Sequence, residues 1–199
     1  MVAATRSNTQ TRLLAAAEKI LVEKGLTGLS VRKVGEQAGV NATLVTYHFK
    51  SISNLLEELC QINLDPILAR WSQIGGAGNA SQDFDDILEI WLEALLLPSA
   101  ITAEGRALVV LDEIIAHGEG SLRQSVLEPM EQFSERLRSA LAPFCPHLHQ
   151  DELRARVRFI SGAALGPPPR GDGSPLAGVG NPLDDLDCLL NFARAALRG

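Results

Sequence analysis

Aromatic side chains are scarce in this 199-residue chain, at 5% of residues, and there are only three cysteines. Few aromatics with abundant alanine and leucine favour helices over sheets. Cys60, Cys145 and Cys188 are odd in number and far apart. They predict buried free thiols in a reducing compartment, not a disulfide framework. No run of about 18 apolar residues exists, so no membrane span and no membrane partner are expected. Ala94–Leu97 is apolar, but Pro98 stops it. The first ten residues lack the apolar centre of a signal peptide, and the expected location is cytoplasmic. No stretch alternates like a strand, and no internal repeat is visible. Nor is there a nucleophile–base–orienter set, a phosphate-binding glycine loop or a dinucleotide fingerprint, so neither an enzyme nor a cofactor is expected. Cys145, His147 and His149 fall within five residues without an obvious fourth ligand, and no metal is expected. What is present is a 46% apolar composition, enough for a real core.

The net charge of −6 hides an asymmetry. Residues 1–50 carry seven basic and three acidic side chains, a net of +4, and the remainder carries 11 and 21, a net of −10. Phosphate contacts need positive charge only where a duplex lies. An acidic body would discourage DNA from wrapping further.

Periodicity predicts an all-α fold. The first helix should span about Asn8 to Lys24, with Leu13, Ala17, Ile20 and Leu21 on its apolar face. Arg12, Glu18, Lys19 and Glu23 take the other face, and Gly25 supplies the stop. Ser30 caps a second helix over Val31–Ala38, which contains Gly35, tolerated where another helix approaches closely. Gly39 turns the chain. Asn41 caps a short third helix ending near Phe49, and Ser51 caps a longer fourth that Pro66 kinks or ends. Further helices are expected at about Asp83–Leu97, Thr102–His117, Ser121–Phe144 (with Pro129 as a kink or a broken start), Asp151–Leu165 and Leu183–Leu197. Ile74–Ser81 reads as a loop, as does Gly166–Pro182 with its five prolines and five glycines.

Ser30–Phe49 has the form of two short helices joined at Gly39, the shape that places one helix in the major groove of DNA. Val34, Ala38, Val40 and Val45 can hold the pair together. Asn41, Thr43, Thr46 and Tyr47 are then available to the groove. A methyl from Ala42 or Thr43 suits a thymine methyl. Tyr47, His48 and Lys50 suit phosphate oxygens. Arg32 suits either guanine or a phosphate.

Residues 8–60 resemble the DNA-binding domain of TetR-family transcriptional regulators. The resemblance is carried by A-A-x-x-I-L-x-x-x-G-L-T-G-L-S-V-R-K-V (Ala16 to Val34), E-Q-A-G-V (Glu36 to Val40) and L-V-T-Y-H-F followed by K-S and L-L (Leu44 to Leu56). It implies a three-helix DNA-binding domain over residues 1–50. Residues 51–199 would form a helical ligand-binding and dimerisation domain. It also implies that Arg32, Asn41, Ala42, Thr43, Leu44, Thr46, Tyr47 and His48 contact operator DNA. Where the family usually places a phosphate-gripping lysine, this chain has Ile52; Lys50 is the candidate substitute.

Beyond residue 60, Ile87, Ile90, Trp91, Ala94 and Leu95 form one apolar band. Leu108, Val109, Leu111, Ile114 and Ile115 form another, and facing bands can enclose a cleft. Trp91, Leu95, Val110, Ile114, Phe133 and Phe159 are the candidate pocket walls. Arg106, Asp112 and Glu113 are candidates to orient a polar group, or surface charges. Phe159 and Ala163, with Leu186, Leu189, Leu190, Ala193 and Leu197, are the candidate dimer face. A two-fold dimer presents two reading helices about 34–36 Å apart. The expected function is a homodimeric repressor, released from a palindromic operator by a small apolar or amphipathic effector. A helical carrier or enzyme for apolar ligands is the rival class, and an activator is the variant within the family.

Overall fold

A computed structural model describes residues 7–75, 82–103, 105–118, 120–165 and 185–198. The glycine- and proline-rich loop expected over 166–182 lies outside them, as does most of the one expected over 74–81. The described residues form nine α-helices and no strand beyond one isolated bridge.

Helix α1 (Asn8–Lys24) opens on a capping box. The Gln10 amide donates to Ser7 Oγ at 3.2 Å, and the Ser7 amide donates to Gln10 Oε1 at 2.9 Å. Two otherwise orphaned donors are thereby satisfied. Gly25, at φ +69°, ends the helix as expected. A 3-10 turn (Leu26–Gly28) leads to α2 (Val31–Ala38), whose amide at Lys33 donates to Ser30 Oγ. Gly39 is left-handed at φ 63° and ψ 37°, a conformation that favours glycine. Helix α3 (Thr43–Phe49) follows, then α4 (Ile52–Trp71), capped by Ser51. Pro66 lies inside α4, and the helix continues past it.

The remaining helices are α5 (Phe84–Leu95), α6 (Ala107–His117), α7 (Gly120–Leu141), α8 (Gln150–Leu165) and α9 (Leu186–Arg198). Pro129 stands inside α7, which stops three residues short of the expected Phe144 and hands over to a 3-10 turn. Helix α6 begins at Ala107, five residues later than its periodicity suggests. Thr102 does not join it, because Ala103 at φ +54° breaks the helical run, and the Thr102 amide donates instead to the Glu18 carboxylate at 2.7 Å. Around it the chain closes a small loop, with an isolated antiparallel bridge between Pro98 and Arg106.

One contiguous apolar core runs from α1 to α9. At its centre the rings of Trp71 (α4) and Phe133 (α7) stack 3.7 Å apart, and Trp71 Nε1 donates to the Trp91 carbonyl at 3.1 Å. Burying one such large side chain contributes about 1.5–3 kcal/mol. The expectation of three buried thiols is corrected at one position. Cys60 and Cys145 are buried, but Cys188 is exposed in the first turns of α9.

Candidate nucleic-acid interface

The pairing of α2 with α3 depends on a glycine. A Cβ at Gly35 would stand 2.7 Å from Ala42 Cα and 2.9 Å from its nitrogen. No side chain fits where the turn before α3 crosses α2, which answers the question Gly35 raised in the sequence. The Val40 amide donates to the Gly35 carbonyl at 3.0 Å, closing the turn. Arg12 reaches over from α1, and its Nη2 donates to the Ala38 carbonyl at 2.6 Å. This arginine therefore braces the end of α2, a role the sequence did not signal.

Asn41 Oδ1 accepts from the Thr43 amide at 2.9 Å and from the Thr43 hydroxyl at 2.8 Å. It satisfies a first-turn donor of α3 from one residue further out than the N-cap position, which Ala42 occupies. Val45 and Phe49 are buried beneath α3, which leaves Asn41, Thr43, Thr46 and Tyr47 exposed on one side. Tyr47, the chain's one tyrosine, is 73% exposed. Ala42, Leu44 and His48 are half-buried, and Leu44 packs against the core. Arg32 is exposed at the start of α2, with its Nε held 3.1 Å from Glu36 Oε1.

Lys50 follows α3 at φ 69° and ψ −47°, a strained backbone for a residue with a Cβ. Its side chain is exposed, while Ile52 is half-buried against the core. Of the two positions, only Lys50 can present a charge to solvent.

Two carboxylates tie this head to the helices behind it. Glu18 is fully buried and belongs to the interior, not to the polar face expected of it. Its Oε1 accepts from the amides of Ile101 and Thr102 and from the Thr102 hydroxyl, and its Oε2 accepts from Asn63 Nδ2. Asn63 Oδ1 in turn accepts from the Ala100 amide. On the other side, Glu113 of α6 accepts the Leu26 amide at 2.8 Å and lies 3.5 Å from His117 Nδ1. Of the other charges singled out, Arg106 donates to the Ala164 carbonyl. Burial, reinforced by neighbouring Glu113, pushes the Asp112 carboxyl above its ordinary value.

The candidate pocket walls divide. Trp91, Leu95, Val110, Ile114 and Phe133 are all buried in the common core, and Phe133 is the partner of Trp71 in the stack. Phe159 is 70% exposed, so it is corrected from pocket wall to surface residue. The candidate dimer stripe on α9 is corrected in the same way. Leu189, Leu190, Ala193 and Leu197 are buried within the single chain, because α9 lies against α5 and α8, and Leu186 is half-buried. Arg194 helps to hold that packing, its Nε donating to Asp85 Oδ1 at 2.6 Å. The outward residues are Phe159 and Ala163 on α8, and Cys188, Phe192 and Ala195 on α9.

Residues 13–59 match the family model of bacterial regulatory proteins, tetR family. This segment is of the tetR-family type. The HTH-type transcriptional repressor KstR2 of Rhodococcus jostii (strain RHA1) is 27% identical over 114 residues, or 56% of this chain. The match spans about half of that relative's length, 52%. Among solved structures, the ketosteroid transcriptional regulator KstR2 of Mycobacterium tuberculosis aligns with a TM-score of 0.68 at 18% identity, covering 99% of this chain and 97% of that one. The fatty acid degradation regulator FadR of Bacillus halodurans aligns at 0.64 and 15% identity, covering 98% and 97%. These two likenesses show a shared fold that runs through the helices behind the matched segment as well. No described helix is long and apolar enough to cross a membrane.

Proposed function

We propose that the protein is a homodimeric, ligand-responsive repressor that reads a palindromic operator with α3. The observation that carries this reading is the exposed row Asn41, Thr43, Thr46 and Tyr47 on a helix whose opposite side is buried. Short polar side chains and one aromatic hydroxyl suit base edges and phosphates. Arg32 and Lys50 add charge at either end of the row, and Ala42, Leu44 and His48 complete the contact set. The half-buried Leu44 is then the least accessible member. The N-terminal fifty residues act as the DNA-binding domain, and the rest as the sensing and pairing domain.

Phe159 and Ala163, joined by Phe192 and Ala195, form the proposed pairing face. Exposed rings beside small residues suit close helix packing across a two-fold axis. The effector is a small apolar or amphipathic molecule. The support is the contiguous apolar core that includes Trp91 and Ile114, together with proteins of like fold described as a ketosteroid transcriptional regulator and a fatty acid degradation regulator. Its binding favours a state with wrongly spaced reading helices, and the coupling is worth about 1–3 kcal/mol.

The test compares operator binding by wild type and by the double variant Thr46→Ala with Tyr47→Ala. The variant should lose most of the specific affinity while keeping its melting temperature, since both side chains are exposed. Equal affinity for the operator defeats the assignment of α3.

A further inference from the structure

A cleft of about 210 Å³ opens where the head meets the body, at the edge of the apolar core. Its floor is apolar and comes from three parts of the chain. Leu26 and Leu29 belong to the stretch between α1 and α2, Ile52 and Leu56 to the start of α4, and Leu122 to the start of α7. Its rim holds Ser53, Glu57, His117 and Ser121. A cavity of about 150 Å³ lined by apolar side chains accommodates benzene. The cleft therefore has room for one ring with a short arm. The rim offers hydroxyls, one carboxylate and one imidazole, and so both donors and acceptors. Its one formal charge, the Glu57 carboxylate, disfavours an anion and lies exposed to water, where it contributes little attraction for a cation. Burial of the ring against four leucines and an isoleucine would supply the affinity, and the rim would orient one hydroxyl.

We infer that this junction cleft is a binding site for a small uncharged arylalkyl alcohol. The site lies outside the interior bands assigned to the effector. A molecule seated there touches both the Leu26 turn of the head and the His117 corner of the body. It also meets His117 beside Glu113, the residue that holds the Leu26 amide.

The experiment uses the full chain without DNA, so its failure leaves the operator reading standing. 2-Phenylethanol, phenethylamine and 3-phenylpropionate are titrated separately and followed by amide NMR shifts. The alcohol should saturate, with a dissociation constant on the order of 1 mM for so small a ligand. The shifts should centre on Leu26, Leu56 and Leu122. Ser121→Trp fills the cleft from its exposed rim and should abolish saturation, and Ser53→Trp, from the opposite wall, repeats the test should the first variant fold poorly. No saturable shift overturns the site, as does binding that survives both tryptophans. Tighter binding of the amine or the acid overturns the assignment of an uncharged ligand.

Discussion

At the scale of single residues, Lys50 carries two opposed demands. Its φ of 69° would suit glycine, yet a side chain is retained beside α3, the proposed reading helix. Lys50→Gly should raise stability by about 1 kcal/mol, after allowing for the entropy glycine gains on unfolding. The same variant should bind the operator more weakly, with the salt slope reduced by about one unit. Thermal melts and anisotropy titrations at several salt concentrations measure the two effects separately. Asp112 makes a second prediction. Folding raises its carboxyl pKa, through burial first and Glu113 second. The ionised form therefore costs stability at neutral pH, and the cost disappears as pH falls below the ordinary carboxylate value. Asp112→Asn should stabilise the protein at pH 7 by about 0.5 kcal/mol, discounted because the group is only half-buried. The advantage over wild type should vanish in acid, as urea titrations across pH would show. Single residues were also where the sequence was least legible. Glu18 sits among Lys19 and Glu23 in the chain, and nothing in its spacing marks it as the buried partner of an amide pair some 83 residues away.

At the scale of elements, the head was readable almost to the residue. Ser30 and Ser51 each cap a helix as their residue type announces, Gly25 and Gly39 end two of them, and Asn41 serves α3 from one residue further out than expected. These are local signals, written in the residues that obey them. The start of helix α6 was not readable, because Ala103 takes a positive φ of 54° that interrupts the run. The turn is held by the Thr102 amide on Glu18, and periodicity carries no trace of that distant partner. The packing of α2 on the turn before α3 gives the prediction proper to this scale. Gly35→Ala places a methyl 2.7 Å from Ala42 backbone. The clash should cost about 1–3 kcal/mol and tilt the reading helix. Operator affinity should then fall by more than the loss of stability explains, measured under conditions where the variant remains folded.

At the scale of the whole molecule, amphipathic stripes misled. The leucines of α9 are spaced like a docking face, but they dock within the chain, on α5 and α8. A stripe tells which side of a helix is covered and is silent on whether the cover comes from the same chain. Of the large aromatics left outward on these two helices, Phe159 on α8 was among the sequence candidates for this face, whereas Phe192 on α9 was not. Phe159→Glu should leave the fold intact, since the side chain already faces solvent. It should also shift the protein from dimer to monomer in analytical ultracentrifugation. Binding to a two-half-site operator should weaken by roughly a hundredfold through lost linkage of the two heads.

The Glu18 carboxylate has a further meaning for anyone wishing to move the head elsewhere. Fused to a foreign helical scaffold, the first fifty residues would carry a carboxyl group with no amides waiting to receive it. An uncompensated charge inside protein is among the costliest defects a chimera can inherit. Exchange of sensory halves between regulators of this kind should therefore succeed only when residues 99–102 and Asn63 travel with their acceptor.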